Sequence, residues 1–219
     1  MVDQLPLFPL NTVLFPGMPL PLHIFEERYR RLLRVRAGEE TVFGIILINP
    51  AQSTSSSVSM HEIGTAARLV SRRSMPDGRA DIVVSGTKRF QVLGENWSAG
   101  HCIADIRYLE DQLGDANNVE KMLETAKRQF ARYVEGITRV TGREFSGVKL
   151  SLDPNEAAYD LTTRLPLHTW ERQTILELDS TEERLVRLAR LINRELALLF
   201  KAGAAGLAIN YPGGRFAAN

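Results

Sequence analysis

Leucine alternates with proline or a polar residue over residues 19–24 (PLPLHI), and the alternation then changes period. Leu20, Leu22 and Ile24 share one face of a strand. Phe25, Tyr29, Leu32 and Leu33 follow the i, i+4, i+7, i+8 spacing of one helical stripe. This predicts a helix beginning near Glu26, with Arg30, Arg31 and Arg34 on its opposite, solvated face and Gly38 as its stop. Upstream, residues 5–10 (LPLFPL) are apolar but hold Pro6 and Pro9. Proline cannot donate to a ladder, so the run predicts an edge strand or an extended lead-in. Phe15, Pro16 and Gly17 mark a turn between the two segments.

Residues 42–48 (VFGIILI) form a nearly continuous apolar run, the pattern of a strand buried on both faces. Residues 53–59 (STSSSVS) predict a polar loop. Strands over 63–71 and 80–85 flank Pro76-Asp77-Gly78, a hairpin turn in which proline presets φ and glycine takes the left-handed position. Gly86 predicts a bulge or bend that lets the return strand continue through 88–93, and residues 101–109 supply the last strand. Six or seven short strands with one helix inserted early suit a closed or nearly closed barrel.

The pattern then turns helical. Residues 111–118 (DQLGDANN) read as a linker. Val119, Met122, Leu123, Ala126, Phe130, Tyr133, Val134 and Ile137 make a long stripe that ends at Gly142. Asp153-Pro154-Asn155-Glu156 has the form of an N-cap, a first-turn proline and a capping-box glutamate before a short helix through Leu161. Another helix is expected over 165–178, containing Trp170. Ser180-Thr181-Glu182-Glu183 opens the last, with Leu185, Leu188, Ala189, Ile192, Leu196 and Leu199 on one face. The expected division is a β-rich pseudo-barrel over 1–112, a helical bundle over 117–202 and a Gly/Ala-rich tail over 203–219. A Gly-rich extension orders only when docked. Leu207, Ile209, Tyr211 and Phe216 are therefore expected to insert into an apolar groove of the same chain or a neighbour.

Composition narrows the function classes. The formal net charge of the 219 residues is +1, so a nucleic-acid polyanion has no global pull on the chain. A single cysteine, Cys102, allows no intramolecular disulfide and suits a reducing cytoplasm. Neither a signal-peptide pattern nor an apolar run long enough for a membrane span is present, so no membrane association is expected.

The chemistry-bearing residues form no catalytic pattern. His23, His61, His101 and His168 lack metal-ligand spacing, and no cofactor is expected. There is no GxxxxGK[ST] loop; residues 136–143 (GITRVTGR) have the wrong spacing. No GxSxG elbow occurs. Ser85 and Lys88 are close in sequence, but Lys88 lies beside Arg89 in a strand pattern and reads as solvated. Cys102 reads as a small buried hydrophobe. Arg28, Arg30, Arg31, Arg34 and Arg36 could bind an anion or RNA, but no stacking aromatics interleave them, and local pairing with Glu26 and Glu27 is the simpler reading.

The run PLFPLNTVLFPGMPLPLHIFEERYRRLL resembles the start of the Lon protease amino-terminal, substrate-binding domain, especially its stand-alone versions. FGIILI (43–48), IGTAARLV (63–70), DGRADIVVSGTKRFQVL (77–93) and LPLHTWERQTILELDSTEERLVRLARLI (165–192) resemble later blocks of that family, in order. The resemblance implies an α+β fold: a PUA-like β pseudo-barrel with an inserted helix, followed by a C-terminal α-helical bundle. It implies a non-catalytic protein- or peptide-binding role, without the ATPase and Ser–Lys protease that follow this module in full-length Lon proteases. The implied partners are unfolded or specific protein segments, and a separate protease. A groove between barrel and bundle is expected to hold them, along Met18, Phe25, Arg28, Tyr29, Met75 and Trp97. RNA binding by the PUA-like barrel is the alternative, and an unrecognised hydrolase using Cys102, His23 or Ser85 a third.

Overall fold

The Leu/Pro alternation of residues 19–24 forms strand β2 (Pro19–Ile24), and the stripe that follows forms helix α1 (Glu27–Val35). The computed structural model describes residues 2–35, 41–53, 58–97, 102–142 and 150–204. The helix stop at Gly38, residues 54–57 of the loop expected at 53–59, His101 and the docking of Leu207, Ile209, Tyr211 and Phe216 lie outside the described residues. The chain divides into two units, residues 1–110 and 111–219.

The first unit is one sheet with α1 packed on it. Its other strands are β1 (Asp3–Leu10), β3 (Val42–Leu47), β4 (Ile63–Ser74), β5 (Ala80–Asn96) and β6 (Cys102–Tyr108), in the order β2-β5-β4-β3-β1-β6. β5 also pairs with β6, so five strands close into a ring and β2 is left with one neighbour. The 17-residue β5 makes this possible. Its first part pairs with β2 and β4, and its last part, from Phe90 onward, with β6. Between them the register slips by one residue just after Gly86, the irregularity that the glycine forecast. Gly86 also allows a close approach: a Cβ there would lie 2.1 Å from the Phe15 carbonyl oxygen. The Phe15–Gly17 corner is bonded to it on both sides, Gly17 N–H to Gly86 O at 2.9 Å and Gly86 N–H to Met18 O at 3.0 Å.

β1 is interior, not the edge or lead-in that its prolines suggested. It pairs with β6 over Asp3–Leu7 and with β3 over Leu7–Leu10. The two neighbours are staggered, so Pro6 and Pro9 each lie where β1 has one partner. Their odd spacing turns the two ring nitrogens to opposite edges, each away from the partner present at its level. β1 and β3 are buried on both faces and separate two cores. Phe8, Phe43, Tyr29, Leu32, Leu33, Ile82 and Val84 pack on the α1 side. Leu5, Leu7, Ile46, Phe90, Cys102 and Ile106 pack on the other.

Phe25 departs from the predicted stripe. The helix starts at Glu27, close to the expected start but two residues past Phe25, which is 61% exposed. Tyr29, Leu32 and Leu33 keep the stripe.

The second unit contains α2 (Ala116–Thr141), α3 (Pro154–Arg164), α4 (Thr169–Glu177) and α5 (Thr181–Ala204). Asp115 caps α2 by accepting from Asn118 N–H, and Gly142 ends it at φ 67°. α2 and α5 run in the same direction: Asn118 Nδ2 donates to Glu182 at their starts, and Gly136 meets Leu199 near their ends. The residues read as a linker are built into this unit. Gln112 N–H donates to Asp179 O at 2.9 Å and Gln112 O accepts Thr181 N–H at 2.8 Å. Glu156 departs from the expected capping box: its carboxylate accepts from Ser151 Oγ at 2.7 Å, and that oxygen accepts Asp153 N–H. Among the described residues no helix is long and apolar enough to cross a membrane.

Candidate functional site

Side chains at alternate positions of β2 point to opposite faces. Leu20 and Ile24 are buried and Leu22 partly so, while Pro19, Pro21 and His23 are exposed on the outer face. Phe25 continues that outer series past the end of the strand, its ring stacked on His23 with centroids 6.1 Å apart. His23 Nδ1 lies 2.7 Å from Asp81 Oδ1, its cross-strand neighbour on β5.

Below Phe25, α1 and the β4–β5 hairpin hold each other. Arg30 donates to the carbonyls of Gly78 at 2.9 Å and Asp77 at 2.8 Å. In return Arg72 donates to Leu33 O at the end of α1, at 2.9 Å. Arg79 donates to Asp77 through its backbone and side chain, which holds the Asp77 carboxyl below its ordinary range. Arg28 pairs with Glu26 at 2.5 Å and lies over the Tyr29 ring, 4.7 Å from its centroid.

The six residues singled out from the sequence do not converge on one place. Phe25 and Met75 follow Ile24 and Ser74, which both pair with Ala80 at the hairpin end, and Arg28 stands in the first turn of α1. Met18 lies beside Gly86, six residues along β5 from Ala80 and about 20 Å away. Trp97 follows Asn96 at the other end of β5, 39% exposed, its Nε1 donating to Glu95 at 3.1 Å. Tyr29 is a core residue, 6% exposed, stacked on Phe8 at 4.1 Å. Burial raises its hydroxyl pKa against the opposing charge of Arg28. Its ring is unavailable to a partner.

The described members of the arginine cluster are similarly committed. Arg28 pairs with Glu26, Arg31 with Glu27, and Arg30 with the hairpin. The side chains of Arg34 and Arg36 lie outside the described residues.

The Cys102 thiol is buried and pushed up to about 11, chiefly by that burial. Lys88 is exposed and pairs with Glu110 at 3.4 Å rather than standing desolvated beside Ser85. Among the described residues no group of acidic, histidine or cysteine side chains could hold a metal ion.

The second unit contains buried charges that periodicity did not flag. Arg184, fully buried, donates to Asp111 and to Asn155 Oδ1 and Leu178 O, and lies over the Tyr159 ring. Tyr159 and Asn155 also donate to Asp111, so the set ties the starts of α3 and α5 to the segment before α2. Glu171, buried, binds the Arg194 guanidinium and the His168 N–H. Burial pushes its carboxyl up, but those bonds outweigh burial and hold it below its ordinary value. Both sets pair their charges within the unit, with only the Arg184 Nε left without a partner, and read as fold-holding.

Comparison with known proteins assigns this arrangement to a family. The model of the ATP-dependent protease La (LON) substrate-binding domain matches residues 4–194. Lon protease 1 of Hydrogenovibrio crunogenus is 25% identical over 190 residues, covering 86% of this chain and 23% of that protein. Lon protease of Escherichia coli K12 is 25% identical over 198 residues, covering 90% and 25%. The chain thus spans about a quarter of the length of these curated relatives. The crystal structure of a Lon N-terminal domain protein from Xanthomonas campestris superposes with TM-score 0.63 at 25% identity, covering 86% of this chain and 98% of that one. The N-terminal domain of the Mycobacterium avium complex Lon protease shares the mixed α+β fold, with TM-score 0.61 at 15% identity. With the family model matched over most of its length, the chain belongs to the Lon substrate-binding domain family.

Proposed function

We propose that this chain is a non-catalytic protein-binding module, a PUA-like pseudo-barrel with a helical bundle, that captures exposed apolar segments of other polypeptides for a protease. The match of residues 4–194 to a substrate-binding domain carries this reading. Phe25 supports it: a large aromatic ring held outside the core, stacked on His23, is a natural first contact for an unfolded chain. Met18 and Trp97 would be secondary contacts elsewhere on the first unit. Of the five arginines that could serve the RNA-binding alternative, Arg28, Arg30 and Arg31 are engaged within the fold, which favours the protein-binding reading.

Titration with a permanently unfolded protein, such as reduced and carboxymethylated lactalbumin, tests the reading. Saturable binding is expected, and Phe25→Ala should weaken it about fivefold or more, as removal of a central aromatic contact does. Phe25 is outside the core, so the variant should keep the parent's thermal stability. Absence of saturable binding would reject the proposal, as would a salt-dependent RNA complex formed in preference to the protein complex.

A further inference from the structure

The free edge of β2 cannot readily accept another strand. Met18 O accepts from Gly86 N–H, so residue 18 turns its backbone groups toward β5. Alternation then turns residues 20, 22 and 24 toward β5, and residues 19, 21 and 23 toward the unpaired edge. Two of those three are proline and present no N–H. An added strand would meet two missing donors in succession, a device that protects sheet edges. A polypeptide captured here is therefore held by side chains on the sheet face.

That face has a definite pattern. Cross-strand pairing sets His23, Asp81 and Arg73 in one row, Pro21, Val83 and Ser71 in the next, and Pro19, Ser85 and Arg68 in the third. Asp81 is taken up by His23 at 2.7 Å. Arg68 and Arg73 are both exposed, and neither forms an ion pair among the described residues. They are separated by four residues of β5, about 13 Å. Between them on β4 lie Ser71 and Val70, which sits at a register shift and is 58% exposed, and the Ser71 row continues through Val83 and Pro21 as an apolar strip.

We propose that this outer face binds an extended polypeptide segment in which two acidic residues, four positions apart, flank an apolar side chain. The spacing follows from the sheet. Residues i and i+4 of an extended chain lie about 13 Å apart on the same side, matching the two arginines, and i+2 falls on the Pro21–Val83 row. Two exposed cations that form no ion pair among the described residues, beside an apolar strip, give the charge complementarity that selects this class. The assignment rests on the protein-binding reading above and specifies its substrate.

The test is fluorescence anisotropy with labelled twelve-residue peptides centred on Glu-x-Leu-x-Glu, Lys-x-Leu-x-Lys or Glu-x-Ser-x-Glu, with the unfolded protein and oligouridylate as parallel ligands. At low salt the acidic apolar peptide should bind about tenfold tighter than the lysine peptide, as two partly exposed ion pairs provide. The serine peptide should also bind more weakly. The double variant Arg68→Glu/Arg73→Glu should reverse the charge preference, which misfolding cannot mimic. N-methylation of alternate peptide bonds should leave affinity within about twofold, since no ladder forms. Equal binding of acidic and lysine peptides, an unchanged preference in the double variant, a large loss on N-methylation, or tighter binding of oligouridylate would each overturn the proposal. If the unfolded protein still binds in that case, the protein-binding reading survives without this substrate assignment. If it does not bind, both fall.

Discussion

At the residue scale, much depends on groups that no periodicity marks. Gly78 takes the left-handed turn conformation at φ 82°, and a Cβ there would also stand 2.0 Å from an Arg30 terminal nitrogen. Gly78→Ala therefore carries two costs: the unfavourable φ, and displacement of the guanidinium that binds the turn. It should destabilise the chain by about 1–3 kcal/mol in chemical denaturation. In an Arg30→Ala background only the φ cost remains, so the glycine substitution should cost less there. Glu171 offers a test in pH. Its folded pKa is depressed, so its contribution is present above the unfolded value and is lost as pH falls through the folded one. Parent stability should thus decline below about pH 4.3, the ordinary glutamate value. Arg194→Ala removes the strongest bond holding the carboxyl down and leaves burial to raise it. That variant should lose about 2 kcal/mol at pH 7, less than a fully buried pair because Arg194 is itself part-exposed. The deficit should shrink as the medium is acidified toward pH 4, measured by denaturation at stepped pH. A constant deficit would show that the pair has no electrostatic role.

At the element scale, the sequence was readable wherever the determinant is local. α2 and α5 follow stripes that need only a 3.6-residue period, and Asp115 and Gly142 end α2 by their own chemistry. The hairpin at Pro76-Asp77-Gly78 forms where its turn residues put it. β1 misled because proline reports a missing donor, not the stagger of the neighbouring strands that makes the omission harmless. Phe25 misled because the helical spacing was extended across the end of β2, where Ile24 still holds the ladder register and the helix has not begun. The candidate site suffered most. Met18, Phe25 and Trp97 were each recognisable as unusual, yet they lie at different levels of β2 and β5. Arg68 and Arg73 carry no signal in the chain's pattern, because cross-strand rows depend on register and the register shift at Val70 leaves no mark there.

At the scale of the whole molecule, the question is where one unit gives way to the other. The glycine- and asparagine-bearing stretch 111–118 has linker composition, but Asp111, Gln112, Leu113 and Asp115 are all bonded into the helical unit. Asp111 neutralises Arg184, Gln112 pairs with the backbone on both sides of Ser180, and Asp115 caps α2. A helical fragment should therefore depend sharply on its first residue. We predict that residues 111–204 fold alone, with helical circular dichroism and a cooperative thermal transition. Residues 117–204 should be less stable by about 3 kcal/mol or more. Arg184 would remain buried without its carboxylate, a loss of roughly 3–5 kcal/mol for a broken buried pair, and α2 would lose a cap worth about 1 kcal/mol. Substituting Asp111→Asn in the longer fragment separates the contributions. It keeps the backbone pairing and the cap but removes the charge, so it should fall between the two. Equal stability of the fragments beginning at 111 and 117 would mean that Arg184 finds other acceptors, and that the composition of this stretch was the better guide to its role.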